Sequence, residues 1–195
     1  ALWQAHVRSL LINRAFDAAF AQIETSRNIP EEIREDMGQT ALKYLLERAD
    51  DVTFAKFATR ALVMPQLPEQ PSLGVAMARR FLTLGLAESA LRQLDALADP
   101  SAFPEARIAR AEALLALSRP EEAEIILIGQ RGENVARLRA EARRQMGDHL
   151  LAKTILDDIG EDREAIDAAW LSGNWQDVAE SDTELAPAAE LVRSP

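Results

Sequence analysis

The segment Leu84-Gly-Leu-Ala-Glu-Ser-Ala-Leu91 sets a turn residue, Gly85, five positions before a small one, Ala90, between two helix-like stretches. The segment Leu117-Ser-Arg-Pro-Glu-Glu-Ala-Glu124 repeats the arrangement with Ser118 and Ala123. A residue that leaves the helical region stops one helix, and a small side chain one turn into the next lets the two helices close on each other. The same pairing is read at Asn13/Ala18, Asp50/Ala55, Gly147/Ala152 and Gly173/Val178. Successive turn residues are 37, 35, 33, 29 and 26 positions apart. Those steps lie in or near the ~20 to 50 residue range at which self-similarity signals a stacked array.

Ala, Leu, Glu and Arg dominate, and alternating β-branched or aromatic runs are nearly absent, so the chain reads as all-α. Helices are expected at 2–12, 15–27, 31–49, 52–64, 73–84, 87–98, 105–117, 121–130, 135–146, 149–159, 163–171 and 175–180. Gly85, Gly147, Gly160 and Gly173 fall where a helix must stop. Ser118 with Glu121, and Asn28 with Glu31, read as capping boxes, and Pro30 and Pro104 as first-turn prolines. The proline-rich stretch 65–71 is expected to be an inter-repeat loop, with a flexible joint as the alternative. Beyond Ser181 the pattern weakens and Pro187 interrupts it. The expected organisation is therefore an array of about six helix pairs over 1–181 and a terminal cap or tail over 182–195.

The central copies share more than the turn. A small residue stands twelve positions before each key alanine (Ala78, Ala111, Ala140), and a leucine four after it (Leu94, Leu127, Leu156). This pattern resembles the tetratricopeptide repeat, a helix-turn-helix unit of about 34 residues with small residues in both helices. The resemblance runs over about residues 2–180 and is strongest from Ala76 to Ile159. It implies a right-handed α-solenoid of antiparallel helix pairs, whose first helices line a concave groove that holds a partner. Groove positions carried onto this sequence are Tyr44, Arg48, Arg79, Arg137, Arg144 and Trp170.

Composition narrows the chemistry. With 195 residues and 48% hydrophobic content the chain can bury a substantial core. A formal net charge of -10 repels nucleic acid and anionic membranes on average, so neither is an expected partner. No apolar stretch approaches the roughly 18 to 20 residues that cross a bilayer, and no membrane insertion is expected. The absence of cysteine removes thiol chemistry but leaves the compartment open, cytoplasmic or periplasmic. A start at Ala1 rather than Met reads as a processed protein or an excised segment.

His6 and His149 lack metal-ligand spacing, and no phosphate loop occurs, so no metal or cofactor is expected. His6 is expected to be a partly buried helix residue and His149 a first-turn residue. The acid pairs Asp50/Asp51, Asp157/Asp158 and Glu161/Asp162 lie at helix ends, where capping explains them better than acid–base catalysis. No enzymatic activity is expected. Trp170 and Trp175 flank the Gly173 turn and read as mutual packing or as an exposed anchor; Trp3 and Tyr44 suit core or groove equally.

The run Arg137-Leu-Arg-Ala-Glu-Ala-Arg-Arg144 departs from the acidic average. At 100° per residue Arg137 and Arg144 share one face and Arg139 and Arg143 another. Arginine there would suit carboxylates through paired hydrogen bonds, which points to an acidic segment of another protein; a solvated face balanced by Glu105, Glu112 and Glu141 is the competing reading. The function expected is a protein-binding module holding an extended or helical segment in its groove. The alternative is a scaffold that self-associates into homo-oligomers through its ends, suggested by the apolar-rich tail from Leu185 to Val192.

Overall fold

The structure is a computed structural model that describes residues 1–59, 70–97 and 103–193. Among the described residues it is all-α, without strands. The helices are α1 (Leu2–Ile12), α2 (Phe16–Thr25), α3 (Glu31–Arg48), α4 (Asp51–Ala58), α5 (Pro71–Thr83), α6 (Ala87–Asp95) and α7 (Pro104–Ala116). They continue with α8 (Pro120–Leu127), α9 (Glu133–Gln145), α10 (His149–Asp158), α11 (Asp162–Ser172), α12 (Trp175–Ala179) and α13 (Ala186–Arg193). The chain forms two compact units, Ala1–Ala109 and Arg110–Pro195, the division falling inside α7. Most helices begin and end close to their expected limits. α4 ends at Ala58; residues 60–64 of its expected range, and the 65–69 part of the proline-rich stretch, lie outside the described residues. No described helix is long and apolar enough to cross a membrane.

Among the described residues one turn occurs six times with the same hydrogen bonds. Arg14, Gly85, Ser118, Gly147, Gly160 and Gly173 are left-handed, with φ between 56 and 81°. In each case the following amide donates to the carbonyl five residues back, from Ala15 to Leu10, Leu86 to Phe81, Arg119 to Leu114, Asp148 to Arg143, Glu161 to Leu156 and Asn174 to Ala169, at 2.9 to 3.0 Å. This bond closes the helix end on one of its last carbonyls; those of Phe81, Leu114 and Leu156 also accept an amide three residues on. Five positions beyond each left-handed residue stand Ala19, Ala90, Ala123, Ala152, Ala165 and Val178, none more than 1% exposed.

Three sequence expectations shift here. In the first copy the register is Arg14/Ala19 rather than Asn13/Ala18: Ala18 is exposed, and the Asn13 amide donates back to the Ser9 carbonyl instead of opening the turn. At Asp50 the turn is of another kind. Ala49 is extended, the Asp50 carboxylate accepts from the Thr53 amide at 2.9 Å, and Ala55 is only half-buried beside the buried Phe54, Phe57 and Ala58. Ser118 and Asn28 do not form capping boxes; the N-caps of α8 and α3 are Arg119 and Pro30, neither with a side-chain cap bond. Ser118 spends its position on the left-handed turn. A side chain there costs about 1 to 2 kcal/mol that glycine avoids, against about 0.4 to 1 kcal/mol of extra unfolded-state freedom. Ser118→Gly is therefore expected to raise stability by about 0.5 to 1 kcal/mol, seen as a higher thermal midpoint.

Each unit has its own core. In the first, Phe20 of α2 stacks on Phe57 of α4 with centroids 4.6 Å apart, and Phe54 of α4 meets Phe81 of α5 at 5.0 Å. In the second, Ala169 of α11, Val178 of α12 and Ala189 of α13 form a buried cluster joined by Trp170, Trp175 and Leu185. Residues 186–193 are thus a helix packed on its neighbour. Pro187 does not interrupt it, because at the second helical position no intrahelical amide bond is lost.

Candidate functional site

Within the second unit, α9, α10 and α11 enclose an open groove of about 510 Å³. Its floor is Ala140, Ala152, Leu156 and Ala168, with Leu171 at one edge. Helical spacing builds it. On α9, Arg137, Ala140, Glu141 and Arg144 stand at i, i+3, i+4 and i+7, and on α11 Glu164, Asp167, Ala168 and Leu171 follow the same pattern, so each helix presents one continuous stripe. Small floor residues keep the helices close and leave the volume above them open to another chain.

The two rim arginines are not free. Arg137 donates from Nε to Glu161 at 2.7 Å and from Nη2 to both Glu133 and Glu161, tying α9 to the turn before α11. Those bonds, Glu161 first, hold its guanidinium above the ordinary value. Arg144 makes a forked pair to Glu141 at 2.7 and 2.8 Å, and its guanidinium is likewise raised. Burial pushes the Glu141 carboxyl up, but hydrogen bonds from Arg144 and Gln145 outweigh it and leave it below the usual range. On the other face of α9, Arg139 and Arg143 converge on Glu124 of α8 at 2.8 and 3.0 Å. The two-face division expected for this run is what the helix presents, and Glu141 is one of the balancing acids. Glu124, Glu133, Asp148 and Glu161 also pair with arginines of the run.

The groove's unmatched charges are acidic. Glu164 and Asp167 are exposed, and neither forms an ion pair among the described residues. Four carboxylates line the groove against two guanidinium groups. Asp167 also borders a second depression, of about 860 Å³, with Asp157, Asp162, Asp182 and Glu184 around it and Arg163 the cation among its lining residues.

Of the other expected site residues, Tyr44, Arg48 and Arg79 belong to the first unit. Arg48 lies over the Tyr44 ring at 5.1 Å, and Arg79 is exposed on α5. Trp170 does not line the groove: its ring meets Trp175 edge-on at 4.9 Å within the cluster of α11 to α13. Trp3 donates to the Ser26 hydroxyl at 3.0 Å. His6 is exposed rather than partly buried, and His149 opens α10 as expected. The acids at helix ends have local work. Asp50 caps α4, its carboxyl held low first by the Thr53 amide, and Asp157 pairs with Lys153 at 2.6 Å. Sequence reading missed Glu164, Asp167 and Leu171; their i, i+3, i+7 stripe on 163–171 was the available signal.

No protein-family model, no curated protein and no solved structure matches this chain.

Proposed function

We propose that this protein is a non-enzymatic interaction module, a right-handed stack of tetratricopeptide-like helix pairs that holds an extended or helical segment of a partner protein. The observation that carries the reading is the groove of α9, α10 and α11, with its alanine and leucine floor between two charged stripes. Apolar floors supply affinity to segments laid into grooves, and polar rims set their register. Leu171 is 54% exposed at the edge of that floor, a large apolar side chain that a docked segment would cover.

The test is selection of a random linear peptide library on the immobilised full chain, followed by anisotropy titration of the enriched peptides. Leu171→Asp changes the groove without touching the core. The expected result is enriched peptides whose affinity falls at least about tenfold on that variant. Failure to enrich any peptide, or peptides indifferent to Leu171→Asp, would overturn the groove.

A second reading, a self-associating scaffold, draws on α13, where Leu191 and Val192 are 78% and 55% exposed. It requires a sedimenting mass that rises with protein concentration and falls back in Leu191→Glu with Val192→Glu.

A further inference from the structure

We infer that the segment this groove accepts is amphipathic and cationic, with apolar side chains on the alanine and leucine floor and lysine or arginine on Glu164 and Asp167. The inference rests on the groove proposed above and specifies its occupant.

Charge complementarity decides the occupant. An acidic segment would have to take Arg137 from Glu133 and Glu161, or Arg144 from Glu141. That exchanges one partly exposed ion pair for another and strands a carboxylate, so little is gained. A cationic segment meets carboxylates that have no partner among the described residues. Glu164 sits in the first turn of α11, where the helix dipole already favours an acid. Asp167 lies a turn further on, outside the reach of that explanation, on the stripe that faces the floor at Ala168 and Leu171.

The field continues beyond the groove. Asp167 is shared with the second depression, where Asp157 is paired with Lys153 but Asp162, Asp182 and Glu184 outnumber the one lining cation, Arg163, and extend the negative surface across α11. A segment leaving the groove over this helix therefore stays in a potential that attracts cations. Lysine and arginine fit both demands: their aliphatic stems can cover Leu171 while their charged ends reach the carboxylates. The acidic partner was expected from the arginine run, and at this groove Arg137 and Arg144 are already paired.

The experiment uses the library-selected peptides, synthesised with a fluorophore and titrated against the wild-type chain, Leu171→Asp, Glu164→Lys with Asp167→Lys, and Glu31→Gln with Glu32→Gln. The last pair neutralises exposed acids on α3 and controls for general attraction to a chain of net charge -10. The expected peptides alternate apolar and basic residues. They should lose at least about tenfold in affinity on the double lysine variant, keep it on the α3 control, and weaken as salt rises. Peptides that need Leu171 but are neutral or acidic, or that bind the double lysine variant equally well, would overturn the cationic occupant and leave the groove standing. Peptides weakened equally by the α3 control would reduce the effect to net charge and overturn it too. Binding independent of Leu171, or no enrichment, would remove the groove and this inference together.

Discussion

Replacing Phe54 by alanine is expected to destabilise the first unit by about 3 to 5 kcal/mol, read as a lower midpoint of denaturant unfolding. Phe54 is fully buried on α4, its ring 5.0 Å from Phe81 with an interplanar angle of 55°, and the Arg80 guanidinium lies 4.4 Å over its face. Removing the ring deletes the buried apolar surface, an aromatic pair and a cation–π contact at once. The position also anchors a short helix. With eight residues, α4 holds its place by tertiary packing, one ring toward α5 and the other, Phe57, stacked on Phe20 of α2. Phe54→Leu should recover more than half of the loss. A cost below about 1 kcal/mol for the alanine variant would mean that α4 is not part of this core.

The second large effect is expected at Arg80, where methionine should cost about 2 to 4 kcal/mol. Arg80 of α5 donates to the Leu45 and Leu46 carbonyls at 2.9 and 2.8 Å and to the Ala49 carbonyl, and approaches Asp51 at 3.3 Å. These carbonyls end α3: Leu45 also accepts from the Ala49 amide at 3.2 Å, while the Leu46 and Ala49 carbonyls lie where the helix supplies no further amide, and a cation there also meets the negative end of the helix dipole. The side chain is 17% exposed, so water replaces it poorly. Methionine keeps the stem over Phe54 and removes the donors, which isolates the hydrogen bonds from the packing. Arg80→Lys should fall between the two, since one ammonium cannot span the same carbonyls with a planar fork. Equal unfolding midpoints for wild type and Arg80→Met would remove Arg80 as the cap of α3.

Much of the helix layout was legible because its signals are local. Gly85, Gly147, Gly160 and Gly173 stop helices wherever they stand, and Ala90, Ala123 and Ala152 are buried where the spacing puts them. Legibility failed where a local signal had two meanings. Ser118 reads both as a cap and as a turn residue and takes only the left-handed turn, Asn13 reads as a turn residue yet Arg14 makes the turn, and Pro187 reads as a break yet stands at the second position of a helix. The groove was half legible. Helical spacing grouped Arg137 with Arg144, and Trp170 packs on Trp175, as one of the two sequence readings had it, instead of lining the groove, while the acidic stripe of α11 went unread.

What the sequence alone determined is the all-α class, the order of the helices and most of their ends, because each depends on backbone preferences within about one helical turn. Beyond the local pairs Arg137–Glu133 and Arg144–Glu141, packing of the helices settles which charges remain available. Arg137 is neutralised by a carboxylate 24 positions away, Arg139 by one 15 away, and Arg80 reaches a carbonyl 35 positions back. Pairings of that span form only after helices pack, and no spacing rule along the chain contains them. The groove that looked basic as a string of residues is therefore acidic in what it leaves unpaired.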